Sequence, residues 1–257
     1  MKWVWFALRI LLLVIVFPFF NIVFIAGLVL FSFHTKYRLF WRNFIVQWWS
    51  RALLFIMNAH VKVEGTLPQP PFFLVSNHLG YLDILVYFSV LHCVFVSRHD
   101  VANWPLIGPI ARSLNTLFID RTRRADIPRV NKQIIQAMKV NKGLIIFPEG
   151  TSTGGKDVLP FKPSLLEYAA RNSFPISYAT VHYKVGPNDP PAQRSVCYWS
   201  DMHFASHLLN LLKLSRIDIT IRFGEETIRS NDRKEIAVQA WEKVNSQFIP
   251  VYVENDL

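Results

Sequence analysis

Acidic residues are scarce in this chain: 18 Asp and Glu stand against 28 Lys and Arg, a formal net charge of +10. Charged residues of both signs make up only 18% of the 257, well under the usual quarter, while 51% are hydrophobic and the mean hydropathy is +0.23. That balance excludes a fully water-bathed surface, so part of the chain meets lipid. Cysteine is scarcer still. Cys93 and Cys197 both lie in apolar runs, which argues against a disulfide framework or a cysteine metal site and for buried free thiols in a reducing compartment. Internal repeats and low-complexity segments are missing. The length suits one sizeable α/β domain with an appendage. The excess of positive charge suits an anionic partner: phospholipid headgroups, an acidic carrier protein or nucleic acid. Nucleic acid is set aside, because the charge accompanies an apolar N-terminus and not an RNA-stacking motif.

Residues 3 to 33 are almost wholly apolar, interrupted by Arg9, Asn21 and Ser32. As a helix they would run roughly 45 Å, longer than a bilayer core. Pro18 lies mid-run, so a tilted span, a kinked span and a re-entrant hairpin are all open. A cleaved signal peptide fits poorly, since the run is too long and no small-residue cleavage site closes it. His34, Lys36, Arg38 and Arg42 follow at once, which puts the remainder on the cytoplasmic face of the cell's inner membrane. Residues 36 to 59 form a second helix. On its wheel Lys36, Asn43, Gln47, Ser50, Arg51 and Asn58 share one arc, and an opposite arc rich in Phe and Trp suits the membrane interface. Residues 1–59 are therefore expected to be a membrane-associating unit and residues 60–257 the α/β domain.

From residue 60 strand-like and helix-like runs alternate. Strands are expected at 61–64, 72–76, 93–97, 115–119, 143–147, 175–182, 194–199 and 217–223. Helices are expected at 83–92, 126–141, 163–171, 202–213 and 231–247. The alternation predicts a mixed, largely parallel sheet flanked by helices.

Chemistry-bearing groups gather at strand ends, where open α/β sheets place their ligand sites. The apolar run Phe72 to Val75 passes into Asn77-His78, with Asp83 five residues on. On one helix that spacing would turn the two side chains about 140° apart. They meet only if the helix starts after His78, in a turn that Gly80 eases. Asp83 could then take a proton from one ring nitrogen and leave the other as a base; a capping histidine and a helix N-cap aspartate are the plainer alternative. A second group is Phe118-Ile119-Asp120-Arg121 with Arg123 and Arg124, where Arg121 abuts the strand and could hold a phosphate. A third is Phe147-Pro148-Glu149-Gly150-Thr151, in which Glu149 sits in a tight turn and could orient substrate hydroxyls, support the histidine or simply cap a surface turn. The fourth is Phe174-Pro175-Ile176. Residues 150–156 imitate a phosphate-binding P-loop, but Asp157 stands where a hydroxyl is needed, and Pro160 and Pro163 delay the helix that must follow.

These four blocks, in this order over residues 70 to 182, resemble the glycerolipid acyltransferases, especially the 1-acylglycerol-3-phosphate acyltransferases. Asn77, His78 and Asp83 match that family's Asn-His-x4-Asp block, and Phe118–Arg121, Phe147–Thr151 and Pro175 match the rest. The resemblance implies that a lysophospholipid hydroxyl attacks an acyl thioester carried by coenzyme A or acyl-carrier protein, with no cofactor and no metal. His78 and Asp83 would be catalytic. Arg121, Glu149, Gly150 and Thr151 would bind the acceptor, with Asn77, Pro148 and Pro175 supporting the motifs. No residue is assigned to an oxyanion hole. Many members carry arginine after Glu-Gly-Thr, and this chain has Ser152, so one phosphate contact is missing unless Lys156 or Arg121 replaces it. The expected acceptor is 1-acylglycerol-3-phosphate. An amino-acid-headed lipid such as lyso-ornithine lipid is the alternative. A catalytically silent membrane binder of the same fold is the alternative of another class, against which stands the His78–Asp83 pair.

Overall fold

The computed structural model describes residues 2–104, 107–119, 132–138 and 143–251. Its centre is a seven-stranded sheet. The strands are β1 (Ala59–Glu64), β2 (Phe72–Ser76), β3 (Val94–Arg98), β4 (Leu117–Ile119), β5 (Gly143–Ile146), β6 (Ile176–Val185) and β7 (Ile217–Phe223), in the spatial order β1-β7-β6-β2-β5-β3-β4. Every neighbouring pair is parallel except β6 and β7.

β2 is the middle strand, and all five of its residues are buried. That is why its sequence is an unbroken apolar run and not an alternating one. The pleat still sorts it. Phe72 and Leu74 join one core with Ile145, Val181 and Ile219, while Phe73 and Val75 join the other with Leu144, Ile146 and Ile176. The second core is covered by residues 132–138, the helix Glu167–Arg171 and the helix Arg233–Gln247, which Asp232 caps by accepting from Lys234 N–H.

The first core is covered by the N-terminal helices. Helix α1 (Lys2–Leu30) runs unbroken through Pro18, and residues 3–30 are long and apolar enough to cross a membrane by length and composition. Helix α2 (Thr35–Ile56) folds back along it. Trp41 lies against Gly27, where a side chain would collide with the indole, and its Nε1 donates to Phe24 O at 3.3 Å. Phe17 meets Trp49 further down, so the two helices are antiparallel. Near the start of α1, Arg9 donates to the carbonyls of Leu212 and Leu214, and the Lys213 ammonium lies over Trp3 and Phe6.

The wheel reading of α2 changes in two respects. Ser50, placed on the polar arc, is buried, and Arg51 Nε donates to Ser89 O at 2.9 Å. The apolar arc divides. Val46, Leu53 and Met57 enter the core, while Phe40, Phe44, Trp48 and Phe55 point outward. A helix flanked by the domain on one side and by α1 on another needs more than one apolar face; at the seam between them Arg51 finds a carbonyl, while the buried Ser50 hydroxyl has no partner among the described residues.

Residues 194–199 are not a strand. Pro191 leads into a short helix, Ala192–Ser195, and an irregular segment follows. Val196 and Cys197 are buried, which produced the strand-like composition. The Tyr198 N–H goes to Leu79 O at 2.8 Å and not to a ladder partner. Among the described residues two elements escaped the sequence reading: a 3-10 turn at His99–Asn103 and a helix at Ile107–Ser113. Gly108 and Pro109 disguise the latter.

Candidate active site

β2 ends at Ser76, and the helix that follows it (α3, Leu82–Val90) starts only after His78, Leu79 and Gly80 have turned the chain. Gly80 takes φ +157, and a Cβ there would strike Tyr198. Asp83, in the first turn of α3, therefore points back at the loop. Its Oδ2 accepts from His78 Nδ1 at 2.7 Å, Leu79 N–H at 2.7 Å and Gly80 N–H at 3.1 Å. Its Oδ1 accepts from the hydroxyl of Tyr183 on β6. The carboxylate is wholly buried.

A carboxylate only accepts, so Nδ1 of His78 carries the hydrogen and Nε2 keeps its lone pair. Among the described residues nothing donates to Nε2, and the side chain is 21% exposed. The Phe147 ring stacks on the imidazole at 4.1 Å between centroids and 8° between planes. Thr153 N–H donates to His78 O at 3.0 Å, which brings the loop after β5 beside the histidine.

Asn77 and Glu149 brace this corner. The Asn77 amide bonds both main-chain groups of Val181, donating to its carbonyl at 3.0 Å and accepting from its N–H at 2.8 Å, and so extends the β2–β6 ladder by one side chain. Glu149, expected to bind the acceptor or to support the histidine, turns inward. Oε1 accepts from His78 N–H at 2.7 Å, Oε2 from Leu159 N–H at 2.9 Å, and the residue is 1% exposed. Burial pushes its carboxyl up to about 8, against the two N–H bonds, which pull it down. Pro148 is buried, with its carbonyl on Lys162 N–H. Gly150 takes φ +78 in the turn that follows.

Thr151 is exposed on the loop, and Ser152 Oγ donates to Tyr198 O at 2.5 Å. Arg121, Arg123 and Arg124 lie outside the described residues. The strand leading to them, β4, is three places from β2, about 14 Å along the sheet on the same edge. Pro175 is not brought to this cleft. Phe73 pairs with Ile176 in the parallel β2–β6 register, so Pro175 stands at the opposite edge of the sheet, about 20 Å from the histidine. An apolar flank that opens a strand marks that strand's start, and in a parallel pair the start lies away from the ligand edge.

Sequence reasoning missed Tyr183, Phe147's stacking role and the Tyr198 segment. Only Tyr183 left a signal: it falls on the inward face of β6 with Ala179 and Val181, where a phenol needs a partner. Among the described residues no three His, Cys, Asp or Glu side chains cluster as metal ligands would.

Residues 60–182 match the Acyltransferase family model. The lyso-ornithine lipid O-acyltransferase of Rhizobium meliloti (strain 1021) is 29% identical over 212 residues, covering 76% of this chain and 72% of that protein. The 1-acyl-sn-glycerol-3-phosphate acyltransferase of Neisseria meningitidis serogroup B is 23% identical over 184 residues, 71% of each. The crystal structure of the 1-acyl-sn-glycerophosphate (LPA) acyltransferase PlsC from Thermotoga maritima has the same fold, with a TM-score of 0.61 at 20% identity, over 96% of this chain and 97% of that one.

Proposed function

We propose that this chain, whose residues 60–182 match the Acyltransferase family model, acylates the free hydroxyl of a lysolipid, with lyso-ornithine lipid as the acceptor. The observation that carries the chemistry is the His78–Asp83 pair, with Nδ1 held and Nε2 open. The acceptor oxygen gives its proton to Nε2 as it attacks the thioester carbonyl of acyl-CoA or acyl-carrier protein. The C–S bond then breaks, the imidazolium returns its proton to the leaving sulfur, and ester and thiol depart. The alcohol is itself the nucleophile, so no serine is needed.

Two observations favour the amino-acid-headed acceptor over 1-acylglycerol-3-phosphate. Ser152 spends its hydroxyl on Tyr198 O, so that side chain brings neither a charge nor a spare donor to a phosphate. The Rhizobium relative, named for lyso-ornithine lipid, also matches this chain at higher identity than the Neisseria one. Thiol release from long-chain acyl-CoA and acyl-carrier protein, measured with each lysolipid, tests both points. Turnover with lyso-ornithine lipid and none in His78→Ala is expected. Activity retained in a folded His78→Ala protein would refute the base assignment. Turnover with lysophosphatidate alone would refute the acceptor.

Membrane attachment rests on α1, α2 and the basic surface. Arg9 ties the start of α1 to the α/β domain, and α2 returns into the same core. Both ends of this hairpin therefore lie on the domain's side. We read it as re-entrant, dipping into the leaflet next to the domain without spanning it, where the outward Phe40, Phe44, Trp48 and Phe55 suit the interface.

A further inference from the structure

Asp83 Oδ2 has three donors packed around it, while Oδ1 faces the buried interior and has one, the Tyr183 hydroxyl. Tyr183 is 1% exposed, and Asp83 is fully buried. Burial and the adjacent carboxylate hold the phenol well above its ordinary pKa, so it stays a neutral donor. The placement is built from the sheet. Asn77 clamps the main chain of Val181. Tyr183, two residues further on and on the same face, is thereby set under the His78 loop. β7 locks the other side through the antiparallel pair Tyr183 and Ile219.

We infer that Tyr183 is a positioning residue for acyl transfer, acting through Asp83 on His78. It fixes the carboxylate's plane by engaging the oxygen that the His78 loop does not reach. Oδ2 then stays on Nδ1 when positive charge appears on the ring. Without the hydroxyl, Oδ1 is a buried charged acceptor with no partner, and relief comes by rotating the carboxylate or drawing in water. Either movement disturbs the Nδ1 contact. Tyr87 extends the same buried layer, but its hydroxyl donates to Ser76 Oγ at 2.6 Å and not to the Asp83 carboxylate.

The inference rests on His78 being the base, and a double-mutant cycle keeps the two separable. Tyr183→Phe, Asp83→Asn, the double variant and His78→Ala are prepared as full-length protein in detergent. Each is assayed with long-chain acyl-CoA and acyl-carrier protein, against lyso-ornithine lipid and lysophosphatidate, and its thermal midpoint is recorded. Tyr183→Phe is expected to lower kcat about tenfold to a hundredfold, the scale of one hydrogen bond to a charged group. KM for donor and acceptor stay within about twofold. In the Asp83→Asn background the same change costs less than about twofold, because the group through which it acts is already altered. A purely structural tyrosine would impose its full penalty in both backgrounds. Equal penalties, a Tyr183→Phe rate within about twofold of wild type, or loss of fold in Tyr183→Phe would each overturn the inference. Turnover surviving in His78→Ala would instead refute the base reading on which it stands.

Discussion

Glu149→Gln separates two roles that one carboxylate performs. In the wild type both oxygens accept main-chain N–H groups, from His78 at 2.7 Å and Leu159 at 2.9 Å. Glutamine has one oxygen and one NH2, so one of those donors is left facing another donor. An unpaired buried donor costs about 1–3 kcal/mol. Against this stands the burden of a buried charge. A carboxyl moved by burial from an ordinary 4.5 to about 8 holds its proton in the folded state after the unfolded chain has lost it. Between those two values the folded state binds more protons, so wild-type stability falls as pH rises through the window and levels off above it. The full drop has a ceiling of about 5 kcal/mol. Glutamine has no such slope.

The variant should therefore be less stable than wild type at pH 5.5, and the gap should close or reverse by pH 9. Thermal midpoints of the two proteins in the same detergent across that range measure it. A gap that stays constant, or widens as pH rises, would mean that the two N–H bonds outweigh burial and keep the carboxyl ionised throughout. Turnover gives the second half of the test. At pH 9, where the stability gap is smallest, Glu149→Gln should still be at least about tenfold slower, because the main chain of His78 has lost a brace. Wild-type turnover there would reduce Glu149 to a stability element.

Asp83→Asn should keep the fold but lose most of the turnover, since one amide oxygen can hold the donors that Oδ2 holds but brings no negative charge to the imidazolium that forms on His78; acyl-transfer rates compared with circular dichroism check it. Replacing Phe40, Phe44, Trp48 and Phe55 together by Ser should weaken binding to vesicles without abolishing it, since α1 keeps its exposed apolar surface, each lost ring removing about 1.5–3 kcal/mol of apolar transfer, and sedimentation with anionic vesicles reads the loss. Arg121→Ala should raise KM for lysophosphatidate by about tenfold or more if that side chain grips phosphate, and leave KM for lyso-ornithine lipid unchanged; steady-state kinetics with both acceptors decide it.

What the sequence disclosed of this site depended on how far apart the partners lie along the chain. His78 and Asp83 were legible because a five-residue gap with Gly80 inside allows few geometries, and the one that joins the side chains is a turn entering a helix. β2 was legible because a strand buried on both faces leaves an unbroken apolar run. Residues 194–199 misled for the same reason: burial alone produces such a run, and Val196 and Cys197 are buried in a loop. Glu149 was legible as a turn carboxylate, with support of the histidine as one reading among three, but its main-chain partners were not. A carboxylate bonded to main-chain N–H groups depends on backbone position, which the type of the partner residue does not encode. Tyr183 stands 100 residues from Asp83, and nothing local announces the contact. It follows only once β2 and β6 are known to be neighbours and Asn77 is known to set their register past the strand's end. The asparagine beside the histidine thus acts through position. It fixes where β6 passes beneath the loop, and with it the donor that reaches the far oxygen of Asp83.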